Sequence, residues 1–423
     1  MNKVVCYPRC CMPTTFNDDV WYFELFSCSE YKKENIGHIG ATFFKELKKS
    51  GIVPTVEAVD FAILALSVVS ADKAVLRRKS PDGWTREIHL TTYLYETEKW
   101  NAVKDKLEWM LRFLTGDFWS LNILPLPENI IPSYNQKEYE GDCVCLLSGG
   151  VDSLVGAIDL WSSNRKPIFV SQVVRGDAKH QREFARLFGN NKICQWSCFI
   201  RKKGESENST RARSIVFFAF ALLATCGMTP GKNGRKEIIV PENGFISLNI
   251  PLDPSRIGSL STKTTHPVYM KSLQEIWNNV GIKVDLTLPY KYKTKGEVLK
   301  DCLNQQALRE TVFDSTSCGK FQRHGLRHCG TCIPCLVRRA AFLEAGFKDI
   351  TVKGYCTENL VNAKSMDVAA AEMAILQTKR YGIGAVIKGS LSFANAEERE
   401  KYEGVVLRGL LEIEELLKEQ GVL

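Results

Sequence analysis

The central part of the chain alternates short apolar runs with longer segments of helical spacing. The runs have apolar residues at consecutive positions, which is typical of strands that are buried on both faces. Helices between such strands predict a parallel α/β sheet that is covered on both sides. The predicted strands are 143–147, 168–174 and 237–241, and the predicted helices are 154–160, 178–188 and 214–226.

The pattern changes on both sides of this region. Upstream, an apolar helix over 55–71, a strand over 86–95 and helical spacing from Trp100 to Leu114 predict an accessory α/β unit. Downstream, the spacing is mainly helical, and Asn395 is a predicted N-cap. The predicted domains are an N-terminal α/β domain over 1–138, the central α/β domain over 139–345 and a helical extension over 346–423.

Composition restricts the class of protein. The 423 residues are 44% hydrophobic and 25% charged, and no apolar stretch reaches the roughly 18 residues of a membrane span. Without a secretory signal, the 15 cysteines indicate reduced thiols and metal binding, so we expect a cytoplasmic protein without a membrane partner. The net charge is +8, but the basic residues do not form a stripe that alternates with aromatic residues. We therefore do not expect a nucleic-acid partner.

One glycine-rich motif lies between the first central strand and its helix. Paired glycines at a helix start let backbone N–H groups approach an anion, and the helix dipole favours a phosphate there. The spacing differs from that of a Walker loop and of a dinucleotide fingerprint. An ordinary strand-to-helix turn is the alternative. The predicted phosphate-binding residues are Ser148, Gly149, Gly150, Val151, Asp152 and Ser153.

A cluster of cysteines follows nearer the C-terminus. Cys318, Cys329, Cys332 and Cys335 have the spacing C-x10-C-x2-C-x2-C, which suits tetrahedral zinc. Four thiolates leave no open position, so we predict a structural role for the zinc. An iron–sulfur cluster is the alternative metal group. His324 or His328 is an alternative ligand in place of Cys318.

The motif resembles the phosphate-binding loop of the ATP pyrophosphatase (PP-loop) family, which cleaves ATP to AMP and pyrophosphate. Together with the cysteines, it resembles QueC, the 7-cyano-7-deazaguanine synthase family, over residues 141–345. The segments 176–183, 213–217 and 294–298 also match. The resemblance implies a Rossmann-like sheet and the cofactors ATP, Mg²⁺ and Zn²⁺. It also implies that Arg213 and Lys295 contact ATP or the activated intermediate.

The chain departs from simple synthases after Glu242 and in the hydroxyl-rich run 261–267. It is similar there to QueC-like proteins of anti-phage defence operons, in particular the QatC family of the Qat system. That resemblance implies activation of a 7-deazaguanine carboxylate and its transfer to an amine, with an amine of a partner protein from the same operon as the implied acceptor. Lys263 is a further candidate to neutralise charge at the α-phosphate, and His266 is a candidate base. Asp152 is expected to cap its helix or to hold Mg²⁺.

Three other functions stay open at this point. A nitrile-forming synthase would use ammonia as the amine. A tRNA sulfur-transfer enzyme would share the ATP loop and carry a reactive cysteine outside the metal set. A scaffold protein would keep the ATP fold only to bind a partner.

Overall fold

A computed structural model describes residues 2–29, 33–173, 176–187, 193–209, 211–231, 233–252, 263–361 and 363–423. Val174, Phe188, Thr210, Ser261 and Thr262, which belong to predicted segments, lie outside the described residues. The strands are β1 (Asn2–Pro8), β2 (Val20–Leu25), β3 (Ile36–Ile39), β4 (Glu87–Leu94), β5 (Phe118–Pro125), β6 (Cys143–Leu146), β7 (Pro167–Gln172), β8 (Ile193–Trp196), β9 (Ile200–Arg201), β10 (Lys236–Ile239) and β11 (Val284–Thr287).

Helices connect and cover these strands, and short 3₁₀ turns occur between them. The helices are α1 (Phe43–Ser50), α2 (Val56–Ala74), α3 (Thr97–Ala102), α4 (Lys104–Thr115), α5 (Val151–Ser162), α6 (Ala178–Leu187), α7 (Ser214–Thr225), α8 (Gly244–Leu248), α9 (Pro267–Asn279), α10 (Lys295–Lys300), α11 (Gln305–Thr311), α12 (Ile333–Glu344), α13 (Met366–Tyr381), α14 (Gly384–Ile387) and α15 (Ala396–Glu419).

The central sheet has the order β11-β10-β6-β7-β8, and all of its neighbouring strands are parallel. The predicted parallel α/β architecture is therefore confirmed. The first strand of this sheet lies in the middle, and later strands are added on both sides of it. This order is typical of doubly wound sheets, in which the chain reverses direction across the sheet between two central strands.

The N-terminal strands form a second, separate sheet with the order β5-β4-β1-β2-β3. As in the central sheet, the first strand lies in the middle and later strands are added on both sides of it. Its five N-terminal strands are parallel, and β9 adds an antiparallel edge strand to β3. β9 follows the central sheet's third strand in sequence but pairs with the other sheet. Residue 138 lies between β5 and β6, so β9 is the one described strand of the N-terminal sheet that follows it, and the domain boundaries stay a prediction.

Corresponding helices join the two sheets. α2 connects the third and fourth strands of the N-terminal sheet and packs on α7, which makes the same connection in the central sheet. α4 packs on α9 in the same way, and the rings of Phe61 and Trp277 meet edge to face at 5.4 Å. α2 is apolar on all sides because it is buried among these elements. One hydrophobic core therefore extends from the N-terminal unit into the central unit.

The C-terminal helices form a second core with α12 and α8. Asn395 accepts the Glu398 N–H at 2.9 Å, which confirms the predicted N-cap of α15. Leu410, Leu416 and Leu417 of α15 are buried, whereas Leu407 and Leu411 are largely exposed. Among the described helices, none combines the length and the apolar character that a membrane crossing requires.

Candidate active site

Residues 148–153 lie at the carboxyl end of β6, and Glu242, Asn243 and Gly244 lie at the carboxyl end of the neighbouring strand β10. The chain order reverses between these two strands. Open α/β sheets bind their ligands in the crevice at this position. The fold therefore brings the glycine motif and a second polar segment to one edge of the sheet.

The glycines of the motif have different structural roles. Gly149 has a φ of +93°, which is a left-handed conformation that favours glycine. Gly150 is the N-cap of α5, and a Cβ atom on it would lie 3.2 Å from the Thr316 carbonyl oxygen. Ser148 Oγ donates to Ser153 Oγ at 3.1 Å, and the Gly150 N–H donates to Ser148 Oγ at 3.3 Å. The loop is compact and closes against the segment that carries Thr316.

Asp152 anchors a buried polar cluster under the loop. Its Oδ2 accepts from Lys295 Nζ at 2.7 Å and from Asn243 Nδ2 at 2.8 Å. Burial opposes ionisation, but the Lys295 charge and the hydrogen bonds to Oδ2 hold the pKa of Asp152 below its usual value. Burial and the Asp152 charge raise the pKa of Glu242 well above its usual value. Asp152 is therefore the more acidic member of this carboxyl pair, and a proton shared by the pair is favoured on Glu242.

Arg213 lies near Asp177, which neighbours the loop. The Asp177 side chain is within 3.5 Å of the position that a Cβ atom on Gly149 would occupy. Burial raises the pKa of Asp177, while a hydrogen bond from Thr316 and the charges of His180 and Arg213 oppose that rise. Arg213 is exposed at the start of α7. Arg213 thus lies near Asp177 and Lys295 contacts Asp152, and their contact with ATP or the activated intermediate stays a prediction.

Lys263 and His266 lie elsewhere. The Lys263 ammonium is 4.1 Å from the centre of the Phe113 ring of α4, and the His266 ring packs between Phe113 and Phe393. His266 Nδ1 accepts the Val268 N–H at 3.2 Å and caps α9. Burial, followed by the charge of Lys263, lowers the pKa of His266 to about 3. Their catalytic roles stay predictions, and within the described residues their contacts are with other elements than the loop.

The four predicted metal ligands come together. Their sulfur atoms all lie within 4.8 Å of one another, and all four residues are buried. The Cys318–Cys332 and Cys329–Cys335 sulfur distances are 3.9 and 3.8 Å. Zinc–sulfur bonds of about 2.3 Å in a tetrahedron give sulfur–sulfur edges of about 3.8 Å. The cluster therefore fits a tetrahedral zinc ion, and His328 Nε2 instead accepts the Ser317 N–H at 3.2 Å.

The cysteine cluster is connected to the glycine loop. The Thr316 N–H donates to the Gly149 carbonyl at 2.9 Å, and Thr316 lies two residues before Cys318. Arg338, which is fully buried in α12, donates to Ser315 Oγ at 2.8 Å. The residues just before Cys318 are thus held both by the glycine loop, through Thr316, and by α12, through Ser315.

Several residues that contact the predicted site residues were not assigned a role from the sequence alone. Glu242 and Asn243 are expected near a ligand from their place after a strand, but their contact with Asp152 depends on the pairing of β6 with β10. Gln181, whose Nε2 donates to the Ser148 carbonyl at 3.0 Å, lies in the segment 176–183, for which the sequence indicates only a resemblance to the QueC family. Glu412 of α15 accepts from the Gly296 N–H beside Lys295, and no local signal in the sequence indicates this contact.

The parallel sheet and the buried four-cysteine group fit an α/β protein of the PP-loop type. No protein-family model matches the chain. The chain is similar to the 7-cyano-7-deazaguanine synthase of Desulfitobacterium hafniense (strain DSM 10664 / DCB-2), with 28% identity over 145 residues. The match covers 33% of this chain and 52% of that protein, about half of its length. This distant similarity supports a QueC-like family.

Proposed function

We propose that this protein is a QueC-like ATP-dependent ligase that adenylates a 7-deazaguanine carboxylate and transfers it to an amine. The observation that carries the proposal is the glycine loop at the reversal point of the central sheet, with Lys295 on Asp152 of the loop and Arg213 near the neighbouring Asp177. The distant similarity to a 7-cyano-7-deazaguanine synthase supports the class of substrate. The identity of the acceptor amine is a separate part of the proposal.

The reaction has two steps. A carboxylate oxygen attacks the α-phosphorus of ATP, and the bond to the β-phosphate oxygen breaks, so that pyrophosphate leaves. The acceptor amine then attacks the acyl carbon, AMP leaves with the former carboxylate oxygen, and the amine loses a proton. Adenylation is needed because a free carboxylate repels a nucleophile and oxide is a poor leaving group. Catalysis consists mainly of positioning and charge stabilisation.

The residues of the site suit these tasks. Backbone N–H groups of the loop and the N-terminus of α5 favour the phosphates of the leaving pyrophosphate. Arg213 is an exposed cation on the Asp177 side and stabilises negative charge on the α-phosphate. Lys295 is 2.7 Å from Asp152 and holds this carboxylate in place beneath the loop.

Asp152 and Glu242 also fit Mg²⁺. Asp152 is buried, and the Glu242 carboxyl lies within hydrogen-bonding distance of it. A proton or a cation must lie between the facing oxygens of these two carboxyl groups. Mg²⁺ prefers oxygen ligands and could take this place. Magnesium held there would reduce the negative charge of the phosphates. We assign zinc at the four cysteines a structural role.

We further propose that the acceptor is an amine of a partner protein and that the protein is the QatC component of a cytoplasmic Qat anti-phage defence system. The support is the departure from simple synthases after Glu242 and the two accessory units that surround the central sheet. We propose no nucleic-acid partner for this protein. Burial raises the pKa of the Cys198 thiol near Arg213, which does not favour the reactive thiolate of a sulfur-transfer enzyme.

The second candidate function is that of a nitrile-forming 7-cyano-7-deazaguanine synthase. The name of the similar protein favours it. The two candidates share ATP, pyrophosphate and the deazaguanine carboxylate. They differ in the acceptor, which is a protein amine or ammonia, and the nitrile also requires a second ATP-driven step that removes water from the amide that ammonia forms.

The test incubates the protein with ATP, Mg²⁺, 7-carboxy-7-deazaguanine and each protein encoded beside its gene. Pyrophosphate release and the intact mass of each partner are measured in the same samples. We expect a partner to gain the mass of the acyl group, in step with pyrophosphate. Ser153→Ala should slow both by about tenfold or more, because the loop loses its Ser148–Ser153 hydrogen bond and a phosphate contact.

Ser162→Ala is the matched control, because it changes the same residue type on α5 at a side chain without a hydrogen-bond partner among the described residues. This variant should retain full activity. Pyrophosphate release with only a nitrile product would establish the second candidate. No pyrophosphate with any acceptor would contradict both and leave a scaffold protein.

A further inference from the structure

The segment that leads into Arg213 is bound to the N-terminal α/β unit. The Glu207 N–H donates to the Lys73 carbonyl at 2.9 Å, and Glu207 Oε2 accepts the Arg77 N–H at 2.9 Å. Ser209 Oγ accepts from Arg77 Nε at 2.8 Å. Lys73 lies at the end of α2, and Arg77 begins the 3₁₀ turn that follows. Both backbone and side chains therefore attach this segment to the end of α2.

Asp72 makes the contact nearest to Arg213. Its Oδ2 accepts the Ala212 N–H at 3.0 Å, and its Oδ1 accepts from Arg86 Nη2 at 2.5 Å. Arg86 also donates to Asp117 Oδ2 at 2.6 Å. The side chains of Asp72, Arg86 and Asp117 are completely buried. The carboxylate that binds the backbone one residue before Arg213 is thus itself held in one orientation.

The two arginines of the 3₁₀ turn Arg211–Arg213 have different surroundings. Arg211 is buried, donates to the Thr115 carbonyl at 3.1 Å and lies 4.8 Å from the centre of the Trp84 ring. Arg213, two residues later, is exposed beside Asp177 at the ATP loop. The turn therefore fixes one arginine in the N-terminal unit and presents the next one to the candidate active site.

We infer that the N-terminal unit positions Arg213 for the reaction, with Asp72 and Arg86 as positioning residues. The inference rests on the proposed function of Arg213 at the α-phosphate. A long cationic side chain stabilises developing charge only where its backbone is held in the productive geometry. A buried ion network adds little net stability, but it restricts the orientation of the groups it binds. The N-terminal unit is thereby part of the catalytic apparatus without contacting the substrate.

The first test is Asp72→Asn, measured by steady-state pyrophosphate release. The amide oxygen cannot replace both carboxylate oxygens, so the Ala212 N–H or Arg86 loses its acceptor. We expect kcat to fall about tenfold, with the KM for ATP changed by less than about twofold, because charge stabilisation is lost in the transition state. The matched control is Asp60→Asn. Asp60 is also buried in α2, but it binds the Tyr95 N–H and Trp100 Nε1 instead, so kcat should be unchanged.

The second test repeats the substitution in an Arg213→Ala background. If Asp72 acts through Arg213, Asp72→Asn should reduce kcat there by less than about twofold, since contacting sites are not additive. A full tenfold loss in both backgrounds would show that Asp72 acts on the fold alone and would overturn the inference. Should Asp72→Asn fail to fold, Ser209→Ala tests the same segment at a partly exposed site, with a smaller loss that must also disappear in the Arg213→Ala background.

Amide hydrogen exchange tests the attachment without any activity. Asp72→Asn should increase exchange at Ala212 and the first turn of α7, and Asp60→Asn should not. Unchanged exchange in Asp72→Asn would overturn the inference. A wild-type protein that binds ATP but releases no pyrophosphate with any acceptor would instead contradict the proposed function, and the exchange result would still decide whether the attachment exists.

Discussion

At the scale of single residues, the loop depends on a backbone conformation at Gly149. Its φ of +93° is costly for any residue with a Cβ atom, by about 1–2 kcal/mol. Gly149→Ala should therefore lower the midpoint of thermal unfolding and also weaken ATP binding, measured by calorimetry, because the N–H groups of the loop lose their arrangement. Gly281→Ala is the control, since Gly281 has a φ of +89° and a Cβ atom added there would meet no atom within 4 Å. Equal ATP affinity of both variants would contradict this role of the loop.

At the scale of elements, the C-terminal helix α15 supports the start of α10. Glu412 accepts hydrogen bonds from Thr294 Oγ1 and from the Gly296 N–H, on either side of Lys295. Thr294 is also the N-cap of α10 in a complete capping box. The helical extension thus holds Lys295 in place, as the N-terminal unit is inferred to hold Arg213.

This contact predicts a pH dependence of stability. Burial raises the pKa of Glu412 from 4.5 to about 7, so the folded protein binds a proton that the unfolded chain has released between these values. Stability from this group is therefore present below pH 4.5 and is lost as the pH rises through 7. Relative to Glu412→Gln, the wild type should lose roughly 2–3 kcal/mol between pH 5 and 8, measured by urea unfolding.

Glu414→Gln is the control on the same helix. Ion pairs with Lys379 and Lys418 lower the pKa of Glu414, so it is ionised in both states above pH 5. The stability difference between this variant and the wild type should be constant from pH 5 to 8. A constant difference for Glu412→Gln as well would contradict the raised pKa of Glu412.

At the scale of the whole molecule, the sequence predicted the features that depend on nearby residues, but not those that depend on contacts between distant segments. The strands and helices of the central sheet, the N-cap at Asn395 and the cysteine cluster follow from nearby residues, and the structure has them at nearly the predicted positions. Strand order depends on contacts between distant segments, so the repeat of one order in both sheets was not predicted. The contact of Asp72 with Ala212 joins residues 140 positions apart and was missed for the same reason.

The central claim is that a carboxylate is adenylated at the loop. The most direct measurement uses 7-carboxy-7-deazaguanine labelled with oxygen-18 in its carboxylate, together with ATP, Mg²⁺ and the acceptor, and analyses AMP by mass spectrometry. Attack of the carboxylate on the α-phosphorus predicts that each AMP carries one oxygen-18 atom when the amine displaces it. Unlabelled AMP released with pyrophosphate would mean that water attacks ATP, and it would contradict the ligase mechanism.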